Sequence, residues 1–80
     1  HISGEINSKV TSVPEVLARL KQHYHDGEVD ELDGVAIRYP DWHFVVRPSS
    51  NEPLIRLTLE ADTREKMEAK RDEVLKLIRA

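Results

Sequence analysis

Between residues 35 and 61 the chain carries three alternating apolar runs with little between them. Val35, Ile37 and Tyr39 form the first, Trp42, Phe44 and Val46 the second, and Ile55, Leu57 and Leu59 the third. A period of two is the signature of a strand with one buried face, because successive side chains point to opposite sides. The connections are short. Pro40-Asp41 makes a tight turn, and residues 48–53 make the second connection. Strands joined this closely pair antiparallel. The segment therefore predicts a three-stranded meander. Its outer face carries His43, Val45 and Arg47, then Leu54, Arg56, Thr58 and Glu60.

The flanks read as one strand and two helices. Glu5 to Val10, with Ile6 and Val10 as its apolar members, predicts an edge strand. Ser12 then caps a helix, with Glu15 three residues on and Pro14 in the first turn, where a missing N–H does no harm. Val13, Val16, Leu17, Leu20 and Tyr24 follow helical spacing. His25-Asp26-Gly27 ends that helix, with Gly27 as a left-handed cap. Glu28 to Asp33 reads as an acidic loop. Asp62-Thr63-Arg64-Glu65 is a second capping-box candidate. A final helix follows, with Met67, Val74 and Ile78 on one face, helped by Leu75 and Leu77. The order is β-α-β-β-β-α. Two amphipathic helices on one face of a sheet make an α+β layer arrangement.

Eighty residues, 39% hydrophobic and 34% charged, suit one small soluble domain rather than a disordered chain. No run approaches the roughly 18 apolar residues that a membrane span needs, and no signal peptide is visible. There is no cysteine. Disulfide frameworks, thiol catalysis and sulfur-based zinc sites are excluded, and a cytosolic setting fits. A net charge of −3 argues against a general nucleic-acid or membrane binder. The chain opens at His1 without an initiator methionine, as either a piece of a longer polypeptide or a chain with non-native leading residues would.

The second connection, RPSSNEP at residues 47–53, is richer in hydrogen-bonding groups than a hairpin requires. Arg47 ends a strand and offers a planar fork of donors that matches phosphate oxygens. Ser49 and Ser50 bring hydroxyls, and Asn51 brings an amide N–H₂. The backbone N–H groups of Ser49, Ser50 and Asn51 are placed to converge as a nest. Pro48 and Pro53 stiffen the flanks. Glu52 sits awkwardly beside an anion, and is expected to turn away and pair with a backbone N–H or with Arg56. By chemistry alone the stretch fits two descriptions equally: an anion site, or a polar surface turn punctuated by prolines.

RPSSNEP closely resembles the phosphate-binding loop of the α-D-phosphohexomutases, which commonly reads Arg-Pro-Ser-(Gly/Asn)-Thr-Glu-Pro in their C-terminal domain. SGEIN, DELDGVAIRY, DWHFVVRPS and PLIRLTLEA extend the resemblance over most of the chain. The DELDG and WHF patterns most resemble bacterial phosphomannomutase/phosphoglucomutase members. The resemblance implies that residues 1–80 are a single domain, the fourth and last of a larger enzyme. It implies a TATA-binding-protein-like fold, with a four-stranded antiparallel sheet flanked by two helices. It implies a cytoplasmic isomerase that interconverts hexose 1-phosphate and hexose 6-phosphate through a phosphoserine in another domain. Mg²⁺ would also be held elsewhere, with no cofactor in this domain. Its partners would be a mannose or glucose phosphate and the remaining domains of the same chain. Arg47 matches the loop arginine, and Ser49 the serine. Ser50 falls at the Gly/Asn position, and Asn51 stands where threonine is usual, so its reach differs. Glu52 and Pro53 match as structural residues.

Other signals point to bland roles. DGEVDELD lacks the ligand order of a calcium loop. His23, His25 and Asp26 are spaced so that they face different ways on a helix. His43 reads as a strand residue on the less buried face. Arg38 and Arg56 either extend a positive field near the loop or solvate the outer sheet face. A different class of function is a stand-alone module binding nucleic acid or protein on the open sheet. That use requires exposed aromatic rings, and most of Tyr24, Tyr39, Trp42 and Phe44 fit the core instead.

Overall fold

The computed structural model describes residues 1–32 and 34–80. In chain order the elements are β1 (Ile6–Lys9), α1 (Val13–His23), β2 (Glu28–Asp30), β3 (Val35–Arg38), β4 (Trp42–Pro48), β5 (Leu54–Ala61) and α2 (Arg64–Ile78). The alternating runs form the meander β3-β4-β5 as expected. The sheet order is β1-β5-β4-β3-β2, with every described pair antiparallel. Trp42, Phe44 and Val46 of β4 and Ile55, Leu57 and Leu59 of β5 are buried on one face. Val16, Leu20, Met67, Val74 and Ile78 of the two helices close that face into a single core.

The sheet has five strands, not the four expected. The residues read as an acidic loop include a short edge strand, which pairs Glu28 with Arg38, Val29 with Ile37 and Asp30 with Ala36. All three β2 residues are exposed, so no buried face imposes alternation on them. Backbone pairing alone defines the strand, and periodicity could not reveal it. Asp33, the end of the expected loop, lies outside the described residues.

Two helix-terminus expectations also change. The C-cap of α1 is Tyr24, and Gly27 does not have positive φ. Gly27 is needed for space instead: a Cβ there would lie 2.6 Å from Ile37 Cγ2 and 2.9 Å from Tyr39 Cζ. For α2 the cap is Thr63 rather than Asp62, and its hydroxyl accepts the Lys66 N–H at 3.1 Å. At α1 the Ser12 cap holds, accepting the Glu15 N–H at 3.4 Å.

The first residues belong to the sheet edge. Ile2 bridges Glu60, the Ser3 N–H donates to the Leu59 carbonyl at 2.8 Å, and the His1 amine donates to the Ala61 carbonyl at 3.0 Å. Gly4, at φ 76°, makes the break between this segment and β1. Ser8 is the buried polar residue of β1, and its hydroxyl accepts from Arg79 Nε at 3.3 Å.

Phe44 is fully buried and touches the aromatic cluster through Tyr24 at 5.2 Å and Trp42 at 5.7 Å between ring centroids. Phe44→Ala should therefore cost about 3–5 kcal/mol. That is a large share of a small domain's stability. Urea unfolding followed by circular dichroism checks this. A loss below about 1 kcal/mol would mean that Phe44 is not central to the core.

Candidate functional site

The RPSSNEP stretch lies at one end of the β4–β5 hairpin. Arg47 and Pro48 still belong to β4, and β5 begins at Leu54. The turn is closed by its own backbone. The Ser49 N–H donates to the Leu54 carbonyl at 2.9 Å, and the Leu54 N–H donates to the Glu52 carbonyl at 2.7 Å. The Val10 N–H donates to the Pro53 carbonyl at 2.8 Å, which ties the turn to the end of β1. The Asn51 N–H points to Ser49 Oγ at 3.4 Å.

These bonds revise the expected nest. The Ser49 amide is engaged in the hairpin, and no non-glycine residue has positive φ among the described residues. Three amides therefore do not converge. The Ser50 amide and hydroxyl and the Asn51 carboxamide have no hydrogen-bond partner among the described residues. Ser50, Asn51 and Arg47 are exposed, and Ser49 is half-buried. Arg47 takes part in an interaction of its own. Its guanidinium carries five N–H donors, so one partner does not exhaust it. Glu52 is exposed, and its carboxylate pairs with neither Arg56 nor a backbone N–H among the described residues.

Sequence reading left Arg56 undecided, and the register decides where it stands. Arg47 pairs directly with Arg56 across β4 and β5. Cross-strand neighbours have Cβ atoms about 4.5–5.5 Å apart, and like charges so placed destabilise a sheet. Asn7 of β1 faces Arg56 from the other side, and Lys9 stands at the same end of β1. The Arg56 side chain has no ion-pair or hydrogen-bond partner among the described residues. A chain of net charge −3 thus gathers Lys9, Arg47 and Arg56 at one corner beside unengaged donors. Such a corner attracts an anion. Arg38, by contrast, is at the other end of β3, opposite His43 and Glu28.

Two other concavities hold polar groups that have partners of their own. A cavity of about 410 Å³ lies between the start of α1 and the end of α2. Its arginines are committed: Arg19 donates to the Leu77 carbonyl at 2.7 Å, and Arg79 donates to Ser8. A cleft of about 310 Å³ lies on the helix side, near the β3–β4 turn. There Tyr24 donates to Glu73 at 2.8 Å, and Tyr39 donates to Asp26 at 2.6 Å. Lys70 sits 5.0 Å from the centre of the Trp42 ring, a cation–π contact. His23 and Glu73 approach to 3.8 Å. His43 faces Glu60 at 3.5 Å on the open sheet. No group of three or more metal-ligating side chains converges among the described residues. Sequence reasoning missed the Tyr24–Glu73 and Tyr39–Asp26 pairs, whose members stand 49 and 13 residues apart.

Tyr24, Tyr39, Trp42 and Phe44 all join the helix-side cluster. Among the described residues, the open face of the sheet, which carries Ala36, Val45 and Thr58 at its middle, therefore offers no Phe, Tyr or Trp ring on which a base could stack.

The resemblance seen in the loop holds over nearly the full chain. The description "Phosphoglucomutase/phosphomannomutase, C-terminal domain" matches residues 5–77. The chain belongs to that family. Its members include the phosphomannomutase of Methanocaldococcus jannaschii, 42% identical over 76 residues, which cover 95% of this chain and 17% of that protein. The phosphomannomutase of Escherichia coli is 42% identical over 81 residues, covering 96% of this chain and 18% of its own. The probable phosphoglucosamine mutase of Methanopyrus kandleri is 41% identical over 70 residues, covering 82% of this chain and 15% of its own. The chain therefore spans less than a fifth of the length of these relatives. A crystal structure of a phosphoglucomutase/phosphomannomutase family protein from Burkholderia thailandensis superposes with a TM-score of 0.69. It is 22% identical and covers 96% of this chain and 17% of that one. The fold is that of a domain found in phosphoglucomutase/phosphomannomutase proteins.

This C-terminal domain carries a pH response independent of the loop. The Tyr39 hydroxyl bond holds the Asp26 carboxyl below its ordinary value of 3.8, and the Lys66 ammonium does the same for Asp41. Burial, then the bond to Asp26, raises the Tyr39 phenol. A carboxylate with a lowered folded pKa contributes stability above its unfolded pKa. That contribution is lost as pH falls through the folded value. Tyr39→Phe should raise the Asp26 midpoint toward 3.8 and narrow the acid range of stability. Carboxyl-carbon NMR titration measures it. An unmoved midpoint would remove the hydroxyl as the cause.

Proposed function

We propose that this chain is the substrate phosphate-binding domain of a phosphomannomutase/phosphoglucomutase. Such an enzyme interconverts hexose 1-phosphate and hexose 6-phosphate through a phosphoserine carried in another domain. The observation that carries the reading is the direct cross-strand pairing of Arg47 with Arg56 beside the exposed donors of Ser50 and Asn51. Both residues are cations on the same sheet face, so an anion bound at this corner meets two positive charges. Family membership and the phosphomannomutase and phosphoglucosamine mutase names of the relatives support a phosphosugar as the ligand. The cysteine-free composition fits a cytoplasmic setting.

In this reading Arg47, Ser49, Ser50 and Asn51 hold the phosphate that does not react. Arg47 supplies charge and planar donors. The serine hydroxyls and the Asn51 amide supply neutral donors, and the Ser50 N–H supplies the backbone contact. Arg56 adds charge from the neighbouring strand. Binding energy gathered on this remote phosphate helps orient the sugar for transfer elsewhere. The same corner must accept the phosphate in either orientation of the substrate, because a bisphosphate intermediate turns around between half-reactions. Exposure suits this exchange, since a half-open corner grips an anion and releases it. Mg²⁺ and the phosphoserine belong to other domains, and this chain's residues neither hold the metal nor transfer the phosphoryl group.

Arg47→Ala should weaken mannose 1-phosphate or glucose 1-phosphate binding about tenfold or more, the loss of one charge-assisted hydrogen bond. The domain should remain folded, since the side chain is exposed. NMR titration of the 80-residue chain, with shift changes confined to residues 47–56, is the test. Equal affinity with and without Arg47 would overturn the reading.

A further inference from the structure

Arg47 has a neighbour on its other flank as well. Val35 pairs with Val46, and one step outward along both strands places Gly34 across from Arg47. Gly34 has a φ of 79°. A Cβ built on it would run into the Val46 carbonyl oxygen. It would also lie 3.0 Å from Arg47 Cγ and 3.4 Å from Arg47 Cα. A strand carbonyl cannot step aside as the tip of a side chain can. A residue with a side chain at 34 must therefore move β4 where Arg47 leaves it, or push the Arg47 stem. The bare glycine lets its backbone lie close against the methylene stem of Arg47. Arg56 stands on the opposite flank.

We propose that Gly34 is a positioning residue for Arg47: its missing side chain sets the direction in which the guanidinium leaves the sheet. This rests on the phosphate-binding reading of the loop. A long arginine side chain is among those that lose most rotamer freedom when fixed. A surface that restricts the stem before the ligand arrives removes part of that cost from binding. Gly34 touches no substrate. It acts through Arg47.

The test is a double-mutant cycle on the 80-residue chain, with inorganic phosphate and mannose 1-phosphate as probes and NMR titration as readout. Gly34→Ala adds a Cβ and backbone strain together. Gly34→Asn adds the Cβ at a residue type that tolerates positive φ. In folded Gly34→Asn, phosphate affinity should fall about as far as in Arg47→Ala, roughly tenfold. Adding Gly34→Asn to Arg47→Ala should cost little more, because both act through one guanidinium. Additive losses, or full affinity in folded Gly34→Asn, would overturn the proposal. Failure of the loop reading looks different, since Arg47→Ala would then leave affinity unchanged. The wild-type chain supplies a measurement free of any folding defect. A nuclear Overhauser contact between Gly34 Hα and Arg47 Hγ, with a single Arg47 χ1 rotamer, is expected. Averaged χ1 couplings without that contact would refute the positioning role.

Discussion

The pairing of β4 with β5 is the constraint on which both core and site depend. Seven residue pairs run from Trp42↔Ala61 to Pro48↔Ile55. Within them Phe44↔Leu59 and Val46↔Leu57 face the helices, while Val45↔Thr58 and Arg47↔Arg56 face outward. A slip of one residue would turn one strand over, burying Arg47 and exposing Phe44 if β4 turned, or burying Arg56 and exposing Leu57 if β5 did. Burying an arginine and exposing an apolar strand face are both unfavourable, so the alternative register is disfavoured. The apolar face thus selects the register, and the register sets Arg47 opposite Arg56. Core packing and the electrostatics of the corner have one origin.

Charge is distributed unevenly along the outer face of the sheet. Lys9, Arg47 and Arg56 stand at one end, while at the other His43 faces Glu60 at 3.5 Å and Glu28 lies across from Arg38. Opposite charges facing each other across strands are the ordinary arrangement, and facing arginines are the exception. Departures of this kind are expected at functional sites. The hairpin turn is held by a rigid connection rather than by unusual backbone: prolines flank it, and no loop residue has positive φ.

The helix side is stabilised by different means. Both helices carry hydroxyl caps. Arg19 of α1 donates to the carbonyls of Leu77, near the end of α2, and of Ala80 just beyond it. Around the β3–β4 turn, Tyr39 stacks on Trp42 with ring centres 4.9 Å apart, and both meet Tyr24 edge-on. This cluster pins the end of β4 away from the loop, which leaves the Arg47 end open to a ligand. Burial raises the phenols of both tyrosines, and their hydroxyls find carboxylate partners rather than water.

The two helices, the meander, the buried faces and the donor-rich hairpin were all legible in the order of the residues. Those features follow from short-range physics: side-chain period, capping chemistry and turn residues all act within a few positions. The rest emerged with the assembled domain. The exposed strand β2 has no pattern to announce it. The Ser49 amide closes the hairpin instead of pointing outward. Arg56 stands opposite Arg47, and Gly34 flanks the same side chain. Register and sheet order bring residues 34, 47 and 56 together, and these depend on which apolar faces bury each other across the whole domain. No local window contains that choice, because the free energy that makes it comes from burial summed over the entire core.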